Sequence, residues 1–254
     1  MQPTIHLGPV TLQTFGICFA LAFLAAGLVF GKRLRELGKP VDWAYEAVIY
    51  ALIGGLVGSR VYYVVENYDQ VKHDFFGHLF SGSGLVWYVG AIGGAIAVIS
   101  WAYRRGMLNL ALLDLCSVPL AVGYAVGRIG CQVSGDGDYG RSWDGPWAMA
   151  YPHGTVPTHH AVQPTPIYET LAMGFIAYAL WRLRDRFRPG ILFALYLILS
   201  GAERLLVEFL RRNTADVLGL TQPQVESIVA IIVGVAWIVL ASQRGSLLRA
   251  PRPA

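Results

Sequence analysis

The segment GRIGCQVSGDGDYGR, at residues 127–141, follows directly on the apolar run LALLDLCSVPLAVGYAV at residues 110–126. Glycine adopts positive φ and permits close backbone approach, so a glycine-rich segment can fold tightly over a ligand and present its N–H groups. The guanidinium of Arg128 is a planar fork of donors that suits a phosphate group. On glycine content alone, a surface turn after a helix is the simpler interpretation. The surroundings of the segment therefore decide its meaning.

The composition is that of a membrane protein. The chain has 254 residues, of which 55% are hydrophobic and only 14% charged, with a mean hydropathy of +0.48. Soluble domains usually carry about a quarter charged residues. Apolar runs recur along the whole chain, so we expect a single transmembrane domain over residues 1–254 and an all-α fold.

Cysteine and histidine patterns give no sign of a metal or a cofactor. Cys18, Cys116 and Cys131 are too scattered for a disulfide framework or a zinc motif. The histidines at 153, 159 and 160 lie beside proline and threonine, without a helix to fix ligand spacing. We expect no metal site, no cofactor and no nucleic-acid partner.

Seven apolar segments predict a compact bundle of about seven transmembrane helices. Their expected bounds are about Leu12–Phe30, Ala44–Val65, Leu85–Tyr103, Leu110–Val126, Thr165–Trp181, Gly190–Leu210 and Val225–Ala241. Small residues one turn apart indicate close helix packing on four spans: Gly27 and Gly31, Gly54 and Gly58, Gly90 and Gly94, Gly123 and Gly127. An outer-face loop is expected at about residues 127–163.

The distribution of positive charge predicts the orientation. Alternate loops and the C-terminal segment hold 13 of the 20 lysine and arginine residues: Lys32, Arg33, Arg35, Lys39, Arg104, Arg105, Arg182, Arg184, Arg186, Arg188, Arg244, Arg249 and Arg252. Cytoplasmic loops are enriched in these residues. We therefore expect the N-terminus outside and the C-terminus in the cytoplasm.

Ionisable residues inside the spans indicate a functional site. They are Arg60, Glu169, Arg204 and Glu208, with Arg211 at a helix end. Each such charge costs about 3 kcal/mol at bilayer depth, so it is retained for a purpose. The predicted topology brings them, with Arg128, to the outer third of the membrane, whereas Asp114 lies in the inner half.

Two interpretations of this cluster are open. The acids can form structural ion pairs with the arginines, for example Glu208 with Arg204. However, the arginines outnumber the carboxylates of Glu169 and Glu208, and surplus buried positive charge calls for an anion. At this depth the available anion is a phospholipid head group.

With these residues in view, the chain resembles bacterial prolipoprotein diacylglyceryl transferases. The resemblance covers nearly the whole chain and is most specific at Gly127-Arg128-Ile129-Gly130, Ser134-Gly135-Asp136 and Tyr139-Gly140-Arg141. Supporting matches are GLVWYVG at residues 84–90, QPTPIYE at 163–169 and RLLVEFLR at 204–211.

The resemblance implies an activity, a location and site residues. The family moves diacylglycerol from phosphatidylglycerol to the lipobox cysteine thiol in the signal peptide of a prolipoprotein, releasing glycerol phosphate, at the outer leaflet of the bacterial inner membrane among membrane lipids. By this resemblance Arg128 and Arg204 are catalytic, together with Tyr88. The expected substrate-binding residues are Arg128, Arg60, Asp136, Glu169, Glu208 and Arg211.

The chain departs from the best-known form of the family. Tyr88 stands where that form has a histidine, and further departures are Phe15, Cys131, Asp136, Gln163 and Ser200. A histidine base therefore cannot be transferred, and Tyr88 is a weak substitute because a phenol titrates near 10. We favour a second hypothesis, in which the arginine field lowers the pKa of the substrate thiol without a dedicated base.

Other classes of function remain open. A divergent relative could bind phosphatidylglycerol without transferring it. An anion transporter would need charges through the inner half of the bundle, where Asp114 is the exception in an apolar region. An intramembrane protease or acyltransferase could use Ser83, Ser134 or Cys131 as nucleophile, but none has an obvious histidine partner.

Overall fold

The computed structural model describes residues 2–8, 10–68, 87–215 and 219–249. Within these ranges the chain forms seven helices: α1 (Thr14–Glu36), α2 (Asp42–Glu66), α3 (Trp87–Arg104), α4 (Leu110–Ser134), α5 (Thr165–Leu183), α6 (Ile191–Glu208) and α7 (Gln222–Gln243). Four short strands accompany them: β1 (Thr4–Leu7), β2 (Val10–Gln13), β3 (Met149–Tyr151) and β4 (Thr158–Val162). Each predicted apolar segment corresponds to one of these helices.

The helices confirm the membrane interpretation in outline. Helices α1, α2, α4 and α7 are both long enough and apolar enough to cross a membrane. The total number of spans and the positions of the termini relative to the membrane stay predictions. So does the single domain over residues 1–254.

The predicted outer loop is wrong over residues 127–134. Helix α4 continues through Arg128 and ends at Ser134, because glycine is tolerated in a helix that packs closely against another. A Cβ at Gly130 would lie 2.8 Å from the Cβ of Cys18 on α1. The helix stops at Gly135, whose φ of +61° is left-handed and whose N–H donates to the Cys131 carbonyl over 3.0 Å.

Two antiparallel hairpins, β1–β2 and β3–β4, were missed by the all-α prediction. The β3–β4 hairpin lies in the segment predicted to be loop, and its strands bury Tyr151 and Val162 against Tyr139. The rings of Tyr139 and Tyr151 stack with centroids 4.7 Å apart. This small core fixes the segment after α4, although the strands themselves are too short for a clear alternating pattern.

The chain divides into two compact units, residues 31–112 and residues 1–30 with 113–254. In the smaller unit, α2 and α3 pack through glycines, as their spacing predicts. A Cβ at Gly54 would lie 2.6 Å from the Gly93 carbonyl oxygen, and one at Gly58 would lie 2.9 Å from that of Val89. The carboxylate of Glu46 accepts from the Trp101 indole over 2.9 Å.

In the larger unit, α4, α5 and α6 share an apolar core. Its buried members are Val118, Ala121, Ala125, Met173, Ile176, Ala177, Leu180 and Leu192. Asp114, near the start of α4, accepts from the backbone N–H groups of Gly190 over 2.8 Å and Phe193 over 2.9 Å. The start of α6 therefore lies beside the start of α4, and Asp114 caps a helix to which it does not belong.

We predict that Asp114→Ala lowers the free energy of unfolding by about 1–2 kcal/mol, because two N–H groups at a helix start lose their acceptor. Thermal unfolding in detergent measures this loss, with Asp144→Ala, at an exposed loop position, as the matched control. Equal melting of both variants and the unsubstituted protein would contradict the capping role.

Candidate functional site

Three arginines converge on the carboxylate of Glu169, which is fully buried. Its Oε1 lies 2.9 Å from Nη1 of Arg204. Its Oε2 lies 3.3 Å from Nε of Arg128 and 3.4 Å from Nη1 of Arg211. A buried carboxylate needs such partners because desolvation strongly disfavours its charge.

Helices α4 and α5 position this contact. Arg128 lies one turn after Tyr124 on α4, and Glu169 lies in the second turn of α5. The Tyr124 hydroxyl donates to Oε1 of Glu169 over 2.8 Å and accepts from Nη2 of Arg128 over 3.0 Å. The phenol therefore fixes the guanidinium and the carboxylate relative to one another.

Glu208 forms a second carboxylate contact at the end of α6. Its Oε2 lies 3.0 Å from Nη2 of Arg204, so the predicted ion pair between them is confirmed. Its Oε1 accepts from Oγ1 of Thr221 over 2.8 Å and from Nδ2 of Asn213 over 2.6 Å. Although α6 ends at Glu208, Arg211 in the following turn still places Nε 4.0 Å from its carboxylate.

Asp138 completes the arrangement and was not predicted as part of it. Its Oδ2 pairs with Nη1 of Arg128, and its Oδ1 pairs with Nη2 of Arg211. The Asp138 side chain is 30% exposed, whereas that of Glu169 is fully buried. Thr165 ties the backbone in place by donating its hydroxyl to the Asp138 carbonyl over 2.6 Å.

Once Asp138 is counted, Arg128, Arg204 and Arg211 do not outnumber the carboxylates that they contact. The expected surplus of positive charge also included Arg60, whose contribution stays a prediction. We define the ion-pair cluster as Arg128, Arg204, Arg211, Asp138, Glu169 and Glu208, in which three guanidiniums meet three carboxylates. Asp138 supplies the third negative charge. Helical spacing could not reveal it, because Asp138 reaches the cluster from a loop.

Two loop carboxyls differ in their titration. Burial raises the pKa of Asp138, but the guanidiniums of Arg128 and Arg211 outweigh it and hold that pKa below its ordinary value. Burial, and next the neighbouring Asp138 carboxylate, raise the pKa of Asp136. Asp138 is therefore the charged partner of the arginines, and Asp136 instead accepts from the Asp138 N–H over 3.2 Å.

The other residues implicated by the sequence have separate positions. Arg60 belongs to the unit of residues 31–112, so its membership of the cluster stays a prediction. The Tyr88 side chain and Ser83 lie outside the described residues. Ser134 is buried at the end of α4 and donates to the Cys131 carbonyl over 3.4 Å, an unsuitable position for a nucleophile.

The remaining departures from the family pattern make ordinary structural contacts. Phe15 stacks on Phe19 in α1. Ser200 donates to the Tyr196 carbonyl over 2.6 Å. The Gln163 carbonyl accepts from the Gly140 N–H over 2.8 Å.

One group of potential metal-ligand atoms exists among the described residues, but its surroundings do not suit a metal ion. Side-chain atoms of Cys131, Asp136 and Asp138 lie within 4.8 Å of one another. Both Asp138 oxygens already contact guanidiniums, and Nη1 of Arg128 lies 3.7 Å from the Cys131 sulfur. The guanidinium of Arg128 beside these donor atoms opposes the binding of a further cation. The absence of a metal site stays a prediction.

Glu203, next to Arg204 on α6, was also missed. It is 7% exposed, and neither carboxylate oxygen has a hydrogen-bond partner among the described residues. An acidic residue within an apolar helix and adjacent to a site arginine is a signal that the sequence does contain.

Comparison with known proteins identifies relatives along most of the chain. A family described as prolipoprotein diacylglyceryl transferase matches residues 2–240. A phosphatidylglycerol–prolipoprotein diacylglyceryl transferase of Leptospira interrogans is 32% identical, over 80% of this chain and 72% of that protein. Proteins of the same name from Clostridium tetani and Erythrobacter litoralis are 30% and 31% identical, over 92% and 100% of this chain and 96% and 94% of their own lengths.

We predict that Glu169→Gln lowers the free energy of unfolding by about 3–5 kcal/mol, because removing the central charge leaves buried guanidiniums undercompensated. Thermal unfolding in detergent measures it. Glu226→Gln, an exposed position on α7, is the matched control. A Glu169→Gln variant that melts with the control would show that the cluster does not depend on this charge.

Proposed function

The chain belongs to the prolipoprotein diacylglyceryl transferase family, and on that premise we propose that the ion-pair cluster binds the phosphate of phosphatidylglycerol. The protein is a transferase that moves the diacylglyceryl group of this lipid to a prolipoprotein cysteine in lipoprotein maturation. The observation that carries the proposed site is the bridging of Arg128 and Arg211 by one partly exposed carboxylate.

Arg128 and Arg204 are the proposed catalytic arginines. The substrate is a phosphodiester, and the leaving phosphate gains negative charge as its C–O bond to diacylglycerol breaks. Preorganised donors in a site of low dielectric stabilise developing charge, commonly by about 2–4 kcal/mol for each donor. Arg128 and Arg204 suit this role because Glu169 holds both guanidiniums in fixed positions.

In this proposal, the lipid phosphate takes the position that the Asp138 carboxylate occupies between the guanidiniums. Its two oxygens contact two guanidiniums, as two phosphodiester oxygens would. It is also the most exposed carboxylate of the cluster, at 30% against full burial for Glu169 and Glu208. Lipid binding then exchanges one anion for another, by rotation of the Asp138 side chain while Thr165 holds its backbone.

The other site residues have supporting roles in this proposal. Glu169 and Glu208 orient the arginines, Arg211 shares the phosphate with Arg128, and Asp136 positions the Asp138 loop. Arg60 and Tyr88 remain proposed contributors to lipid binding and to catalysis. The acceptor is the lipobox cysteine in the signal peptide.

The proposed location is the outer leaflet of the bacterial inner membrane, with seven spans, the N-terminus outside and the C-terminus in the cytoplasm. Asp114 and Arg128 are separated by fourteen residues of α4, or about 21 Å along its axis. Asp114 contacts the α5–α6 connection, where Arg184, Arg186 and Arg188 lie. Such positive connections favour the cytoplasm, which supports a cluster at the opposite face.

We predict that the purified protein transfers diacylglycerol to a lipobox peptide in phosphatidylglycerol micelles, and that Arg128→Lys lowers kcat/KM at least about 100-fold. A lysine keeps the charge but loses the fork that contacts Asp138, Tyr124 and Glu169. Mass spectrometry of the peptide measures transfer. The control is Arg182→Lys, at the end of α5 that is distant from Glu169. Phosphatidylglycerol binding without transfer by the unsubstituted protein would instead identify a lipid-binding relative.

We predict that Asp138→Asn lowers the KM for phosphatidylglycerol about tenfold, because the lipid phosphate no longer competes with a carboxylate. Tenfold corresponds to about 1.4 kcal/mol. Initial rates at varied lipid fraction in detergent micelles measure the KM, with Asp144→Asn as the matched control. A rise in KM would show that Asp138 orients the arginines during turnover and is not displaced.

A further inference from the structure

We propose that Glu203 is the general base that takes the proton from the substrate thiol, a role that rests on the proposed function and extends it. The charge balance of the ion-pair cluster creates the need for such a group. Three carboxylates offset three guanidiniums, so this cluster by itself supplies no surplus positive charge to ionise a thiol. The exchange of Asp138 for a phosphodiester leaves that balance unchanged.

Among the acidic residues of helices α4, α5 and α6, Glu203 is the one whose carboxylate has no hydrogen-bond partner on either oxygen within the described residues. Asp114 is committed to two backbone N–H groups, Glu169 to guanidiniums and a phenol, and Glu208 to Arg204, Thr221 and Asn213. Both oxygens of Glu203 are buried without a donor in the part of the chain that the structure describes. Burying a polar group without a partner is costly, so its retention indicates a partner supplied by a ligand.

The surroundings of Glu203 place it near the ion-pair cluster. It neighbours Arg204 on α6, and it interacts electrostatically with Glu169 of α5, Arg128 of α4 and Arg211 beyond α6. Glu203 is therefore within electrostatic range of the guanidiniums that hold the phosphate in the proposed complex, while its own oxygens have no hydrogen-bond partner among the described residues.

The step is balanced in atoms and charge. A Glu203 oxygen accepts the proton of the cysteine S–H as the sulfur forms a C–S bond to the diacylglyceryl carbon. The C–O bond to phosphate breaks, and its electron pair stays on the phosphate oxygen, which becomes part of a dianionic glycerol phosphate held by the arginines. The proton then leaves Glu203 with the departing product or to water.

The test compares two lipobox peptides, one with cysteine and one with selenocysteine in its place. A selenol is already ionised at neutral pH and needs no base. We expect Glu203→Gln to lower kcat/KM for the cysteine peptide at least about 100-fold, the usual contribution of a general base. For the selenocysteine peptide we expect a change below about threefold. Glu203→Asp keeps a carboxylate acceptor on a shorter side chain. Its kcat/KM for the cysteine peptide should therefore fall less than that of Glu203→Gln.

Controls separate this role from a structural one. Glu226→Gln, exposed on α7, should leave both peptides unaffected. An equal loss on both peptides in Glu203→Gln, or no loss on cysteine, would overturn the assignment. Transfer to neither peptide by the unsubstituted protein would contradict the proposed function itself, and the role of Glu203 with it.

Discussion

The burial of the Glu169 carboxylate is the constraint on which the site depends. A carboxylate without solvent exposure is tolerated only when donors and opposite charges surround it. Here they come from α4, α6 and the turn after α6, as Arg128, Arg204 and Arg211. The register of these elements is therefore fixed at the same point where we propose that the chemistry takes place. Asp114 fixes α4 and α6 at their other ends by capping α6.

A cluster that is neutral before the proposed lipid binds avoids the cost of burying unpaired charge, which is high in a membrane. Three guanidiniums left unpaired between turnovers would each carry a desolvation penalty in a medium of low dielectric. Asp138, which lies in a loop, reduces this penalty by pairing with the guanidiniums. Thr165 holds the backbone of that loop, so in the proposed function the Asp138 side chain can move aside for the lipid phosphate. In the proposed function, specificity for a phosphodiester rests on geometry more than on net attraction, because the incoming anion replaces an equal charge.

The sequence predicted the scaffold well and the site in part. Apolar runs predicted every described helix, and the charges predicted the contact of Arg204 with Glu208 and grouped Arg128 with Glu169 in one region. It failed where neighbours in space are distant along the chain. Glycines suggested a loop at 127–134, although Gly130 serves the approach of α4 to Cys18. Asp138 reaches its partners through a turn, for which no spacing rule exists.

The departures from the family pattern acquire a physical meaning when charge and protons are considered together. In the proposed function, a chain with tyrosine in place of the usual histidine draws on another proton acceptor, because the guanidiniums of the ion-pair cluster are already paired with carboxylates. A base in such a site must also avoid the guanidiniums, because a carboxylate held by arginine is a poor acceptor. Glu203 meets both conditions: its position adjoins Arg204, yet its oxygens contact no donor among the described residues. In this proposal, Glu169 and Glu208 orient the arginines, and Glu203 remains available to accept the proton.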